Sequence, residues 1–421
     1  MRKDIRMDLG IRKTVLDNGL TILTCPMPEK SSAFALFGTK FGSVDQHFML
    51  DGREITVPSG TAHFLEHKLF ENEDSDAFKL FARTGASSNA YTSYDRTCFV
   101  FQATDGFYDS LRILLSFVRE PYFTKETIDK EQGIISEEIR MYSDSPVWQL
   151  LAGVLGLVYE KHPIREDIAG TEESIGRITP EMLYDCYNAF YTPDNMVLSI
   201  AGKFDEEKTI EICREALSDM KRRDSKKLPV REGCEVAVRS GSREMSVAMK
   251  QFSYAYKEKA FPVEKQYMSE LYLEILLYIM AGSTSRLYGE LYDDGLINSS
   301  FGFEILEGDD FMSVIFSGDS RDPEETVRRI EKAIEGFKRN GIPNVRVEEV
   351  RRLLLGDTVC CMDEPEAAAS EMAAAYFKKG SVYDKISAVC AVNRQDLEKM
   401  LSEHFDSSKA ALFIINPKES K

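Results

Sequence analysis

Ile178-Thr-Pro-Glu-Met-Leu-Tyr-Asp-Cys-Tyr-Asn-Ala-Phe-Tyr-Thr-Pro-Asp-Asn-Met-Val-Leu-Ser-Ile200 reads as a capped helix, a polar turn and a strand. Thr179 can accept from the first free helical N–H groups, and Pro180 suits the first helical position. Thr192 to Asn195 is a turn signal, and the apolar run after it is a strand. Val392-Asn-Arg-Gln-Asp-Leu-Glu-Lys-Met-Leu-Ser-Glu-His-Phe-Asp-Ser-Ser-Lys-Ala-Ala-Leu-Phe-Ile-Ile415 repeats that plan. Asp144-Ser-Pro146 after one long helical pattern likewise parallels Asp363-Glu-Pro365 after another. Two α+β halves of about 200 residues on one plan follow. The fold class is α+β, with two structurally related α/β halves joined by a charged linker.

Lys221-Arg-Arg-Asp-Ser-Lys-Lys-Leu-Pro-Val-Arg231 is charged, poor in apolar residues and holds a proline, which makes it the best linker. The expected domains are therefore 1–220, a linker at 221–235, and 236–421. The first half opens with a hairpin pattern, Lys13 to Leu16 and Leu20 to Thr24 around Asp17-Asn18-Gly19. Ser32 to Val44 is a β-rich segment, Ser75 to Thr84 a helix, and Asn89 to Ala103 alternates like one strand. Helices dominate from Gly106 to about Phe190, and Met196 to Gly202 closes the half as a strand.

The chain has 421 residues, 43% hydrophobic and 29% charged, with a net charge of −17. That composition is ordinary for a globular protein, and the acidic balance argues against nucleic acid or an anionic membrane surface as partner. Met1-Arg-Lys-Asp-Ile-Arg-Met-Asp lacks an apolar signal core, and the apolar run Leu271 to Gly282 is too short to span a bilayer. Eight scattered cysteines without a C-x-x-C pair fit reduced thiols. Cytoplasmic residence is the resulting expectation.

Ser59-Gly-Thr-Ala-His-Phe-Leu-Glu-His67 contains His-x-x-Glu-His, and two of the five histidines fall in it. On a helix, His63, Glu66 and His67 project within a sector of roughly 100°. Two imidazoles so placed can share one Zn²⁺, and the carboxylate beside them can take a proton from water. This is the inverted form of the metalloprotease zinc motif. The plain alternative is a pair of structural histidines.

A zinc hydrolase needs a third protein ligand. In Ile128 to Tyr142, the residues Glu131, Ile134, Ile135, Glu138 and Tyr142 follow the stripe of an inward-facing helix, and Glu137 points to solvent. A carboxylate on an apolar face needs a partner, which singles out Glu138 and Glu131. Half-exposed helix acids are the alternative.

Ser59 to Asn72, Glu131 to Tyr142 about 70 residues on, and Gly-Ala-Ser-Ser-Asn-Ala-Tyr-Thr at 85–92 together resemble the pitrilysin/insulinase (M16) family of zinc peptidases. The resemblance extends over essentially the whole chain and is strongest to short bacterial members. It implies His63, His67 and Glu138 as zinc ligands, Glu66 as general base and Glu131 as the acid supporting a ligand. It also implies that Asn89 and Ala90 lie on an edge strand to which a peptide adds through main-chain hydrogen bonds. An ordinary sheet strand is the alternative there.

Laid beside Ser59 to His67, Ala281 to Gly289 puts Ser285 opposite His63, Tyr288 opposite Glu66 and Gly289 opposite His67, so the second half cannot repeat the zinc site. Active members place an Arg, and seven residues later a Tyr, in a segment like Glu290 to Asn298. Here Tyr292 stands at the place of that Arg and Asn298 roughly at the place of that Tyr. The expected function is a zinc endopeptidase subunit acting on short or unfolded peptides. Its expected partner is a zinc-less homologue supplying Arg and Tyr, with a homodimer as alternative. The rival from another class is a non-catalytic binding or scaffolding subunit.

Overall fold

The computed structural model describes residues 8–71 and 76–418. Ser75, the expected start of the second helix, and the run Met1 to Met7 lie outside them. The described residues form two compact units: 8–71 and 76–136 with 168–228 and 358–377, and 137–167 with 229–357 and 378–418. The division falls inside one unbroken helix, Lys125–Ser143.

The first unit begins with the expected hairpin, β1 (Arg12–Val15) and β2 (Thr21–Pro26), paired antiparallel. Gly19 takes φ 96° at its turn, and the Asn18 side chain accepts from the Leu20 N–H at 3.1 Å. β3 (Ala33–Thr39) is buried at every position, as a central strand must be. A hairpin that the sequence pattern did not announce follows, β4 (His47–Leu50) and β5 (Arg53–Thr56). Next come α1 (Thr61–Leu69) and α2 (Ala77–Thr84).

Asn89 to Ala103 is not one strand but a hairpin, β6 (Ser87–Thr92) and β7 (Thr97–Ala103). The Ser93 N–H donates to the Arg96 carbonyl and closes the turn, whose polar residues look like a strand's exposed positions in a period-two pattern. Then follow α3 (Phe107–Arg119), α4 (Lys125–Ser143), α5 (Pro146–Val158), α6 (Glu172–Ile175) and α7 (Pro180–Phe190). Thr179 caps α7, its oxygen accepting from the Met182 N–H at 3.3 Å. β8 (Met196–Gly202) and α8 (Glu206–Leu217) follow. Within the expected linker, β9 (Ser225–Lys227) pairs with β4 instead of running free.

The second half runs β10 (Ser240–Met245), β11 (Gln251–Glu258), α9 (Gln266–Ala281) and α10 (Arg286–Asp293). It continues with β12 (Gly302–Glu307), β13 (Met312–Asp319), α11 (Pro323–Asn340) and α12 (Asn344–Cys361). α13 (Pro365–Phe377), α14 (Val382–Ala391), α15 (Arg394–Glu403) and β14 (Ala410–Pro417) complete it. No helix among the described residues is long and apolar enough to cross a membrane.

The first sheet has the order β1-β2-β8-β3-β7-β6 and the second β10-β14-β11-β13-β12. Five strands thus recur in the same order. One parallel pair recurs too, β2 with β8 and β10 with β14. The duplication expected from the repeated helix–turn–strand plan is present, and the chain is α+β.

Element order corrects one correspondence. Between β3 and β6 lie α1 and α2 (with the β4–β5 hairpin); between β11 and β12 lie α9 and α10. The helix in the place of α1 is α9, and Arg286 to Asp293 answers to α2. Local spacing misassigned it because α9 has nearly twice the length of α1. α9 contains no histidine, so the second half still cannot repeat the His pair.

Each unit also takes one helix from the other half of the sequence. α13, rich in alanine, lies on β8 and β3, where Ser199 donates to the Ala369 carbonyl at 2.7 Å. α5 lies on β14 and β11, with Gly153 so near Phe413 that a Cβ would come within 2.4 Å of its ring.

Candidate metal centre

α1 starts at Gly60, whose φ of 87° is the left-handed region that glycine enters without strain. A Cβ there would fall 2.5 Å from the Ala169 carbonyl oxygen, and one on Gly170 2.6 Å from that of Ser59. Two backbones in contact therefore fix where the helix begins. Phe64, Leu65 and Leu69 are buried, which fixes its rotation. Glu71 accepts from Lys68 of α1 and stands 3.6 Å from Lys130 of α4, tying the two helices together.

On this frame one ligand atom from each of His63, His67 and Glu138 lies within 4.8 Å of the others. The two imidazole rings are 4.6 Å apart. Burial, with repulsion from His67, pushes the His63 imidazole down to about 3 against the pull of Glu131. His63 is thus neutral at physiological pH, the form that offers a lone pair to a metal. His67 Nδ1 lies 3.0 Å from Glu131 Oε1. A carboxylate accepts, so Nδ1 carries the proton and Nε2 is left as the ligand atom. Tyr142 donates to Glu138 Oε1 at 2.5 Å, and Trp148 stacks on Tyr142 at 4.4 Å.

Two nitrogens and one oxygen, with His67 held by Glu131 and Glu138 by Tyr142, form a donor set that fits a divalent ion with a coordination position left open. Glu66 is 7% exposed and accepts from the Thr92 hydroxyl at 2.5 Å through Oε2.

Glu131 and Ile135 are buried as their stripe requires, and Glu137 is exposed. Ile134, placed inward by the same pattern, is 49% exposed instead. It lies at the margin of the stripe, on the side where Met141, 60% exposed, continues the open face. Thr92 and Tyr142 are contacts that the pattern did not assign. Tyr142 was within reach, four residues from Glu138 on the same face. Thr92 had no local signal, since its partner lies 26 residues away.

β6 is the edge of its sheet. Ala90 and Thr92 share one face, while Asn89 and Tyr91 occupy the other. The Asn89 side-chain oxygen accepts from the Ala90 N–H at 2.9 Å, so that N–H is turned to the open side of the strand.

Two family models match in succession, Insulinase (Peptidase family M16) over residues 54–172 and Peptidase M16 inactive domain over 177–354. A Bacillus subtilis (strain 168) protein named uncharacterized zinc protease YmfH is 34% identical over 412 residues, spanning 96% of either chain. The chain belongs to the M16 peptidase family.

An M16-like peptidase from Alicyclobacillus acidocaldarius superposes with a TM-score of 0.93 at 30% identity, over 97% of this chain and 98% of its own. The first half of the periplasmic protease PqqL from Escherichia coli superposes at 0.72 with 18% identity, over 98% and 92%. That match overturns the cytoplasmic expectation, since the M16 fold also serves a periplasmic protein. Free thiols do not decide the compartment either. Cys25, Cys98, Cys186 and Cys213 are buried, which shields them in any medium, whereas Cys234 and Cys360 are exposed.

Proposed function

We propose that this chain is the zinc-bearing subunit of an M16 endopeptidase that hydrolyses short or unfolded peptides. The observation that carries the reading is the His63, His67 and Glu138 donor cluster with Glu66 buried on the same helix. Zn²⁺ held there supplies a Lewis acid that polarises water and the scissile carbonyl. Glu66 takes a proton from the attacking water and returns it to the leaving nitrogen. Glu131 keeps His67 in the ligating tautomer, and Tyr142 orients Glu138. Asn89 and Ala90 are the substrate-binding residues. The open edge of β6 takes an extended peptide as an added strand, and backbone pairing makes few demands on side chains.

Metal analysis and a quenched peptide test this reading together. Wild type holds about one zinc per chain, the stoichiometry of a single three-ligand site. His67→Ala loses it. Glu66→Gln keeps the zinc and loses cleavage by at least about a hundredfold. A Glu66→Gln variant as fast as wild type refutes the reading.

One observation favours a second reading, a subunit that does not turn over alone. Tyr292 is 52% exposed and stacked on Tyr288, and Asn298 donates to Asp319 at 2.8 Å. Tyr292 brings no guanidinium to the place of the expected Arg, and Asn298 no phenol to that of the expected Tyr, the groups that would stabilise a tetrahedral oxyanion. A zinc-less homologue supplying Arg and Tyr completes the site in that case; pairing with a second copy of this chain leaves both absent.

A further inference from the structure

We infer that Thr92 is the positioning residue of the general base, holding Glu66 by one carboxylate oxygen so that the other faces the reaction. The inference rests on the catalytic reading of Glu66. Its ground is the proton accounting of two neighbouring hydroxyls. Thr97 Oγ1 donates to the Phe41 carbonyl at 2.8 Å, which uses its single proton. Thr92 Oγ1 lies 3.4 Å from Thr97 Oγ1 and 2.5 Å from Glu66 Oε2. The nearer, anionic acceptor takes the Thr92 proton, and a charge-assisted bond of that length is among the strong ones.

Thr92 is well suited to hold an atom still. It is β-branched, hence stiff at χ1, and it sits in a strand paired residue for residue with β7. With Oε2 engaged, Oε1 is the oxygen that accepts the water proton. The hydroxide oxygen bonds to the carbonyl carbon. As the carbon–nitrogen bond breaks, Oε1 hands that proton to the nitrogen. Thr92 itself keeps its proton throughout.

Its place on β6 adds a consequence. The strand that carries Thr92 is the edge offered to a peptide, and Ala90, two residues away on the same face, has its N–H on the open side. Ordering of this edge by a paired peptide therefore also orders the base.

The test compares Thr92→Val, which keeps the shape and removes the hydroxyl, with Thr92→Ser, which keeps the hydroxyl. Thr92→Val is expected to lower kcat about 10- to 100-fold, the effect of one charge-assisted hydrogen bond, with KM and zinc content unchanged. Thr92→Ser is expected to restore most of the loss. A second readout needs no turnover. In urea unfolding of zinc-free protein, the midpoint losses of Thr92→Val and Glu66→Ala should add to more than the loss of the double variant, because either change alone breaks the bond. Additive losses, wild-type kcat in Thr92→Val, or a Thr92→Ser as slow as Thr92→Val each overturn the inference. Fast Thr92→Val beside inactive Glu66→Gln overturns it alone; fast Glu66→Gln overturns the catalytic reading.

Discussion

Charged side chains on α1 and β12 are buried for different ends. Glu66 and Lys68 are out of solvent on α1, and each has a near partner of suitable chemistry, Thr92 and Glu71. Glu307, at the end of β12, is 7% exposed with less support. Burial, reinforced by repulsion from Glu270, pushes its carboxyl up from 4.5 to about 8; Lys378 and the Phe261 N–H oppose the shift only in part. The folded protein therefore binds more protons than the unfolded chain between those two values. Stability is fully present below the lower one and is lost as pH rises through the upper. Thermal unfolding from about pH 5 to about pH 9 should show the melting temperature falling. Glu307→Gln should flatten that fall and raise the melting temperature at the alkaline end. An unchanged slope in the variant would assign the pH dependence to other groups.

Helix α1 and strand β6 divide the work of the site between metal and peptide. α1 is placed by backbone contact at Gly60 and by three buried apolar side chains, so its imidazoles arrive in a fixed register. β6 contributes through its edge. A proline is tolerated in an edge strand where the N–H faces outward, and Ala90 meets that condition. Ala90→Pro should fold, retain its zinc and raise KM about tenfold or more, because one main-chain donor to the peptide is gone. A KM equal to wild type would remove β6 as the peptide-binding edge. α4 works differently again, presenting Glu131 and Glu138 two turns apart, one to a histidine and one to the ligand cluster.

Across the whole chain, the duplicated sheets carry unequal chemistry. The second sheet keeps the strand order of the first, but α9 fills the place of α1 without a histidine. On the proposed reading, a site with Tyr292 and Asn298 where Arg and Tyr are expected should gain from a chain that supplies both. Mixing this protein with a zinc-less M16 homologue that carries both residues is expected to raise cleavage of a quenched peptide roughly tenfold or more over either alone. Equal rates before and after mixing, with the single chain fully active, would assign the whole site to this chain.

What could be read without a structure was whatever repeats at short range. His63, Glu66 and His67 share a helix face, as do Glu131 and Glu138, and helical periodicity puts them there whatever the rest of the chain does. The helix–turn–strand plan of Ile178 to Ile200 announced the duplication for the same reason. The turn inside β6–β7, the true counterpart of α1, the pairing of β9 with β4 and the exchange of α5 and α13 depend on partners distant in sequence. Thr92 on Glu66 is the plainest case. One residue lies on a helix and the other on a strand, and only the packing of α1 over β6 brings a hydroxyl within 2.5 Å of the carboxylate. Local periodicity put the candidate ligands on shared helix faces; long-range packing, which no short pattern encodes, chose what holds them.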